Sequence, residues 1–199
     1  MYILMILPKG FNKEPQPVWA GMHALNGNGE MTGSHWIKDG GYFIGPICIT
    51  NTHSVGITHH ASIKWIINQY KEYWSNNHLW AMPVVAETYD GWLNDINGFH
   101  VKSEHVFEAL ESASGGVIVE GNVGSGTGMI CHKFKCGIGT SSRVIEINNH
   151  QYTVGVLVQA NYGDREKLRI GGLPVGLLLT EKADATILET IPKEAHSSI

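Results

Sequence analysis

The stretch GNVGSGTGMICHKFKCGIGTSSR, residues 121–143, contains six glycines among small hydroxyl side chains. Glycine at this density weakens a helix or a strand unless the backbone adopts positive φ or closely approaches another group. Such a backbone either exposes N–H groups that line a pocket, bind an anion or stabilise an oxyanion, or it forms a tightly packed, bulged corner of a sheet. The stretch on its own leaves both interpretations open.

Two phosphate-binding motifs are absent from this stretch. A P-loop requires Lys and then Ser or Thr after its last glycine, whereas Met129 and Ile130 follow Gly128. The dinucleotide fingerprint G-x-G-x-x-G requires a wider final spacing than residues 124–128 provide. Nucleotide binding is therefore only a weak alternative.

Length and composition favour one domain. The chain has 199 residues, a net charge of −4, 16% charged residues and no basic run, so neither nucleic acid nor an anionic membrane is an expected partner. The apolar run 2–7 is too short for a signal peptide or a membrane span. Three cysteines, Cys48, Cys131 and Cys136, cannot all pair, which favours a reducing, cytoplasmic compartment.

The hydrophobic pattern predicts a mixed α+β fold with two sheets between helices. The predicted strands are 2–7, 18–25, 46–50, 83–86, 143–147 and 152–160, followed by a small hairpin at 168–175. The first predicted helix follows residues 51–54, whose hydroxyl and amide side chains can cap it. It buries Ile63, Ile66, Ile67, Tyr70 and Trp74. The second spans 102–113 with Ser103 as its N-cap. Residues 1–178 are predicted to form one domain, and 179–199 a polar tail.

Three histidines raise the question of a metal site. His53, His59 and His60 are close in sequence, but no carboxylate or Cys-x-x-Cys pair joins them at the spacing of a structural zinc site. Solvated or capping histidines explain the pattern better, so the sequence predicts no metal and no cofactor.

Polar side chains follow two of the predicted strands. Glu87, Tyr89 and Asp90 come at the end of the strand 83–86, and Asn161 follows the strand 152–160 next to a glycine. Strand ends are where α/β enzymes often place working residues. Asp90 and Asp95 also have an ordinary interpretation as turn-capping residues.

Five segments resemble the family of L-aminopeptidases, D-amino-acid esterase/amidases and β-peptidyl aminopeptidases. They are HALNGNGEMTG (23–33), ITNTHSVG (49–56), VVAETYDGWLNDINGFHV (84–101), residues 120–143 and YTVGVLVQANYG (152–163). The resemblance implies a four-layer α/β/β/α sandwich like that of N-terminal nucleophile hydrolases, with a different strand connectivity. It also implies a precursor that cuts itself into an α chain and a β chain, with a longer N-terminal segment than the one found here.

The resemblance assigns roles to individual residues. Ser198, freed by a cut after Ser197, matches the nucleophile, whose own α-amino group serves as the base. Asn161 matches the amide that donates to the oxyanion, and Tyr89 the tyrosine beside the reacting carbonyl. Glu87 matches the acid that binds the ammonium group of the substrate. Cys136 departs from the family pattern, which more often has glycine there.

The family interpretation implies that this chain is the α-chain portion of a serine aminopeptidase and is inactive alone. Its expected partners are the β chain of the same precursor, a short peptide or amino-acid amide or ester with a free amino terminus, and further αβ units in a homo-oligomer. Two alternatives remain open at this point: a non-catalytic glycine-loop module that binds a small ligand, and a fragment that folds only with a partner chain.

Overall fold

A computed structural model of the chain describes residues 3–77 and 80–182. The helices are α1 (Ser34–Gly40), α2 (Val55–Gln69), α3 (Lys71–Asn77), α4 (Ser103–Glu111) and α5 (Val175–Lys182). The strands are β1 (Ile3–Ile6), β2 (Pro17–Trp19), β3 (Tyr42–Ile44), β4 (Ile47–Asn51), β5 (Val84–Thr88), β6 (Ile130–Cys131), β7 (Phe134–Lys135), β8 (Ile138–Ile147) and β9 (His150–Gln159). The predicted α+β class is confirmed.

The sheet that positions the candidate site has the order β1-β4-β5. β4 pairs antiparallel with β1 and parallel with β5, so the chain crosses from β4 to β5 through α2 and α3. Apolar side chains of β1, α2 and α4 form the core against this sheet, with Ile66, Val106 and Leu110 fully buried. The parallel pairing places the ends of β4 and β5 at the same edge of the sheet.

The buried face of α2 agrees with the predicted one at Ile66 and Tyr70 and differs from it at Ile67. The structure buries Thr58, Ala61, Ser62, Trp65 and Ile66, whereas Ile67 is 44% exposed. Tyr70 ends the helix, and Trp74 belongs to α3. The prediction counted apolar residues only, but small polar residues of α2 face the sheet, as the contact of Ser62 Oγ with Cys48 Sγ at 3.4 Å shows.

This difference gives a stability prediction with a matched control. We expect Ile66→Val to lower the free energy of unfolding of the full-length protein by about 0.5–1.5 kcal/mol, because a methylene is lost from a fully buried site. Ile67→Val deletes the same group from a largely exposed side chain and should change it by less than about 0.5 kcal/mol. Urea unfolding of both variants checks this, and equal losses would contradict the buried face described here.

The hairpin of β8 and β9 confirms the prediction made for this region. Its ten residue pairs run from Ile138 opposite Gln159 to Ile147 opposite His150. Asn148 and Asn149 form the two-residue turn, with φ of 51° and 61°. Asparagine tolerates this left-handed conformation, and the primed turn that it permits matches the twist of a hairpin.

Other predicted elements are shorter or displaced. β2 ends at Trp19 and does not continue to Leu25, while α1 and β3 form where no element was predicted. Lys102, and not Ser103, is the N-cap residue of α4. The small hairpin near 168–175 is a single bridge between Ile170 and Leu173. Helix α5 crosses residue 178, where the tail was predicted to begin, and residues 183–199 lie outside the described part of the chain.

The length and hydropathy of a helix decide whether it can cross a membrane. Within residues 3–77 and 80–182, every helix is too short or too polar to cross a bilayer.

Candidate active site

Glu87 occupies the end of β5 and is almost completely buried, with 2% of its surface exposed. One carboxylate oxygen, Oε2, accepts a hydrogen bond from Thr52 Oγ1 at 2.6 Å. The other, Oε1, is buried without a hydrogen-bond partner among the described residues. Burying an unpaired carboxylate oxygen is unfavourable, so this atom is suited to accept a hydrogen bond from a bound donor.

Asn161 connects the end of β5 to the strand β6. Its Nδ2 donates to Tyr89 O at 3.0 Å and, at 3.5 Å, to Ile130 O. The second distance lies at the upper limit of a hydrogen bond, so this N–H is the more weakly held of the two. Asn161 Oδ1 is buried without a partner in the described structure. The structure therefore brings Asn161 and Tyr89 into contact, with Glu87 two residues earlier on β5.

Tyr89 and Asp90 follow directly after β5. Tyr89 is 37% exposed, and its ring folds over Gly91, where a Cβ would lie 2.6 Å from the phenol oxygen. Glycine at position 91 therefore makes room for the tyrosine. Asp90 is buried, and its Oδ2 accepts from Asn94 Nδ2 at 2.9 Å. The Asp90 side chain thus holds the side chain of Asn94 in the turn that follows β5.

Buried acceptor oxygens that lack a partner in the described part of the chain gather near this edge of the sheet. Four buried side-chain oxygens in this region have no partner within the described residues: Asn51 Oδ1, Glu87 Oε1, Asp90 Oδ1 and Asn161 Oδ1. Asn51 and Glu87 lie at the ends of β4 and β5, and Asp90 follows β5. Asn161 is hydrogen-bonded to Tyr89, which also follows β5. Since a buried unpaired polar group costs about 1–3 kcal/mol, a cluster of such oxygens favours binding of a donor-rich group such as an ammonium ion.

The part of the glycine-rich stretch around Gly124–Gly128 packs inside the molecule. Residues Gly124–Gly128 form a short 3₁₀ segment in which Ser125, Gly126 and Gly128 are buried. At Gly137 a Cβ would overlap the carbonyl oxygen of Gly121, so a larger residue would force these backbones apart. The close approach of backbones explains Gly126 and Gly137, and Gly124–Gly128 is tightly packed, as in the second of the two interpretations given above.

Two polar contacts that hold this segment were not predicted. Ser125 Oγ donates to Gln159 Oε1 at 2.8 Å, and Gln159 Nε2 donates back to Ser125 O at 2.8 Å. Thr88 Oγ1 lies 2.9 Å from Met129 Sδ. Thr52, the partner of Glu87, was also missed, because helix capping was the expected role of residues 51–54. The sequence does offer a signal for Thr52. It directly follows β4, and the end of β4 lies beside the end of the parallel strand β5.

The three histidines that were considered as metal ligands make separate interactions. His53 stacks on Phe99 with 6.1 Å between ring centroids, and burial lowers the pKa of His59, as does the neighbouring His60. Within residues 3–77 and 80–182, no group of three His, Cys, Asp or Glu side chains is placed to hold a metal ion. The predicted nucleophile Ser198 lies outside the described residues.

Comparison with known proteins supplies the family of this chain. The model of Peptidase family S58 matches residues 3–199. A β-peptidyl aminopeptidase, BapA, of Sphingosinicella microcystinivorans is 51% identical over 180 residues, which are 90% of this chain and 44% of the relative. Its namesake from Sphingosinicella xenopeptidilytica is 50% identical over 159 residues, 80% of this chain and 39% of the relative. The chain thus spans less than half the length of these curated relatives.

Solved structures show the same fold. The L-aminopeptidase D-Ala-esterase/amidase from Ochrobactrum anthropi, described as a new variant among the Ntn hydrolase fold, superposes with a TM-score of 0.82 at 54% identity, over 84% of this chain and 47% of that one. A β-aminopeptidase from Burkholderia sp. gives a TM-score of 0.79 at 50% identity, over 89% and 49%. The predicted resemblance and the predicted Ntn-type fold are both confirmed.

Proposed function

The chain belongs to peptidase family S58, and we propose that the full-length protein is a self-processing serine aminopeptidase whose α-chain portion is the chain described here. The observation that carries the proposal is the meeting of Asn161 with Tyr89 at the end of β5, two residues after a buried carboxylate with one unpaired oxygen. This is an arrangement of one amide donor and one anion around a strand end, and it suits an amide substrate that carries a free ammonium group.

In the proposed mechanism Ser198 becomes the first residue of the β chain. Its α-amino group, with a reference pKa of about 8, takes the proton of the hydroxyl as Oγ attacks the carbonyl of an amide or ester. The weakly held N–H of Asn161 turns from Ile130 O to the developing oxyanion. The amine or alcohol leaves with a proton, and water cleaves the acyl-enzyme.

Glu87 and Tyr89 position the substrate in this proposal. The unpaired Oε1 of Glu87 accepts from the substrate ammonium, while Thr52 holds Oε2 in place. Oε1 is enclosed in the described structure, so the ammonium reaches it as neighbouring side chains move aside. The exposed hydroxyl of Tyr89 lies beside the reacting carbonyl. Substrates are therefore short peptides, amides or esters with a free amino terminus.

The β chain of the same precursor is the proposed partner. Both faces of the β8–β9 hairpin expose apolar side chains, including Val144, Tyr152 and Val156. An open groove of about 1130 Å³ runs between the hairpin and β1. Surfaces of this size and apolarity are rarely left to solvent. We place the β chain against this surface. We also propose that αβ units assemble into a homo-oligomer and that the protein is cytoplasmic.

Mass spectrometry of the full-length gene product tests the proposal. We expect two chains whose masses place the cut between Ser197 and Ser198, together with release of p-nitroaniline from amino-acid anilides. A single intact chain that releases no p-nitroaniline would overturn the proposal in favour of a non-catalytic binding protein.

A further inference from the structure

Two cysteines lie on the same face of the β6–β7 hairpin, next to the candidate active site. Cys131 ends β6, pairs with Phe134 of β7, and Cys136 follows β7 directly. Because alternate residues of a strand point to the same face, Phe134 and Cys136 lie on the face that Cys131 occupies. Cys136 Sγ lies 4.0 Å from Cys131 O, so the Cys136 thiol lies against the backbone of Cys131. Both thiols are free in the described structure.

This dithiol, Cys131 and Cys136, is connected to Asn161 through the backbone on both sides of Cys131. On one side, Ile130 O accepts the weaker hydrogen bond of Asn161 Nδ2 at 3.5 Å. On the other side, the His132 N–H donates to Tyr162 O at 2.8 Å. The residues on both sides of Cys131 are therefore hydrogen-bonded to residues 161 and 162.

A side-chain contact adds a third connection. The Tyr162 ring packs against the His132 ring with 5.2 Å between centroids, and the neighbouring Cys131 thiol raises the pKa of Tyr162, chiefly through hydrogen bonding. His132 and Lys133, which form the turn between β6 and β7, have φ of 51° and 59°. Residues other than glycine are uncommon in this left-handed conformation, so the turn carries backbone strain.

The two thiols differ in access. Cys131 is buried, and burial, followed by the neighbouring Cys136, raises the pKa of its thiol. Cys136 is only partly buried. Cys136 is therefore the sulfur that an oxidant in solution reaches first, and Cys131 is the sulfur held ready to react with it.

We propose that Cys131 and Cys136 form a reversible intramolecular disulfide that lowers the activity of the site around Asn161. The effect on activity rests on the proposed function, whereas the disulfide itself does not. The oxidant is a peroxide: the Cys136 thiolate attacks one oxygen, the O–O bond breaks, and a sulfenic acid and water result. The Cys131 sulfur then attacks Cys136 Sγ, loses its proton and displaces a second water. Two electrons pass from sulfur to peroxide, and a dithiol reductant returns them.

The disulfide changes the contacts that hold Asn161. An S–S bond is about 2.0 Å long, so the two sulfurs must move toward each other. The Cys131 sulfur then becomes a weaker partner for the Tyr162 hydroxyl, and Ile130 O shifts relative to Asn161 Nδ2. In a strained hairpin we expect a disulfide that reducing agents open easily.

The covalent part is tested on the full-length protein treated with hydrogen peroxide and digested without reduction. The peptide that contains both thiols should lose about 2 Da, the mass of two hydrogens. Cys131→Ser and Cys136→Ser should each prevent this loss. Cys48→Ala should not, because Cys48 is fully buried and its thiol pKa is raised to about 12. Sulfinic acid on Cys136 without a mass loss, or a disulfide between two molecules, overturns the proposal.

The coupling to the site is tested by two further measurements on the same samples. Oxidation should lower kcat/KM for an amino-acid anilide roughly tenfold, less than the loss of a whole oxyanion donor, and dithiothreitol should restore it. Cys136→Ser should keep the basal activity and become insensitive to peroxide. Hydrogen exchange of the amides of residues 160–163 should rise on oxidation even if no substrate is turned over. A disulfide that changes neither measurement overturns the coupling, whereas absent activity before oxidation counts against the proposed function alone.

Discussion

Replacing Asn161 with alanine is expected to lower kcat of the full-length protein by about 10²–10³ while KM changes little, the usual result of losing one oxyanion donor. The weakly held N–H on Ile130 O is the donor that turns to the oxyanion, and alanine has no replacement for it. The bond to Tyr89 O at 3.0 Å is lost as well. Steady-state kinetics with an amino-acid anilide, beside urea unfolding, measures both consequences.

Gln159 supplies the matched control for Asn161. It is an amide two residues earlier, but both ends of its side chain are already bonded to Ser125 at 2.8 Å. Gln159→Ala should therefore lower the stability by about 1–3 kcal/mol and leave kcat close to that of the wild type. If Asn161→Ala behaves in the same way, with a loss of stability and no loss of kcat, then Asn161 is a structural clamp between Tyr89 and Ile130.

The sequence was a good guide to residues at strand ends. Glu87 and Tyr89 were singled out because they follow a buried apolar run, and the parallel pairing of β4 with β5 puts them at a common edge. Asn161 was singled out by the same argument after β9. That Asn161 hydrogen-bonds to Tyr89 could not be read from the sequence, because 72 positions separate the two residues and pattern and propensity are local.

The sequence was a poorer guide where small polar residues are buried. Thr58 and Ser62 on α2 face the sheet, and Ile67 does not. The periodicity argument counts only apolar side chains, so it predicted that Ile67 belongs to the buried face of α2. The same bias hid Thr52, whose hydroxyl is bonded to Glu87 and not to the start of a helix.

The glycine-rich stretch shows a limit of a different kind. Its composition indicated that backbones come close, which the packing of Gly137 against Gly121 bears out. Composition does not say whether the neighbouring group is a ligand or another part of the chain. Only the fold answers this, since residue 121 and residue 138 are brought together by a bridge between segments 17 positions apart (138 − 121).

Glu87→Gln is expected to weaken substrate binding without lowering the stability of the free protein. The charge on a buried carboxylate that meets a substrate ammonium is worth about 2–5 kcal/mol, so kcat/KM should fall by at least about thirtyfold, mainly through KM. The free protein should be no less stable, or more stable, because Gln removes a buried charge whose Oε1 has no partner in the described structure. The measurements are anilide kinetics and urea unfolding.

A change in the substrate provides the control for Glu87. An anilide in which a hydroxyl replaces the α-amino group has no ammonium, so the wild type and Glu87→Gln should hydrolyse it equally slowly. The coupling between the two changes then isolates the contact of the carboxylate with the ammonium. Thr52→Val, which removes only the 2.6 Å hydrogen bond to Oε2, should give a smaller loss for the amine substrate. If Glu87→Gln instead destabilises the protein and penalises both substrates alike, the carboxylate holds β5 in place and does not bind the substrate.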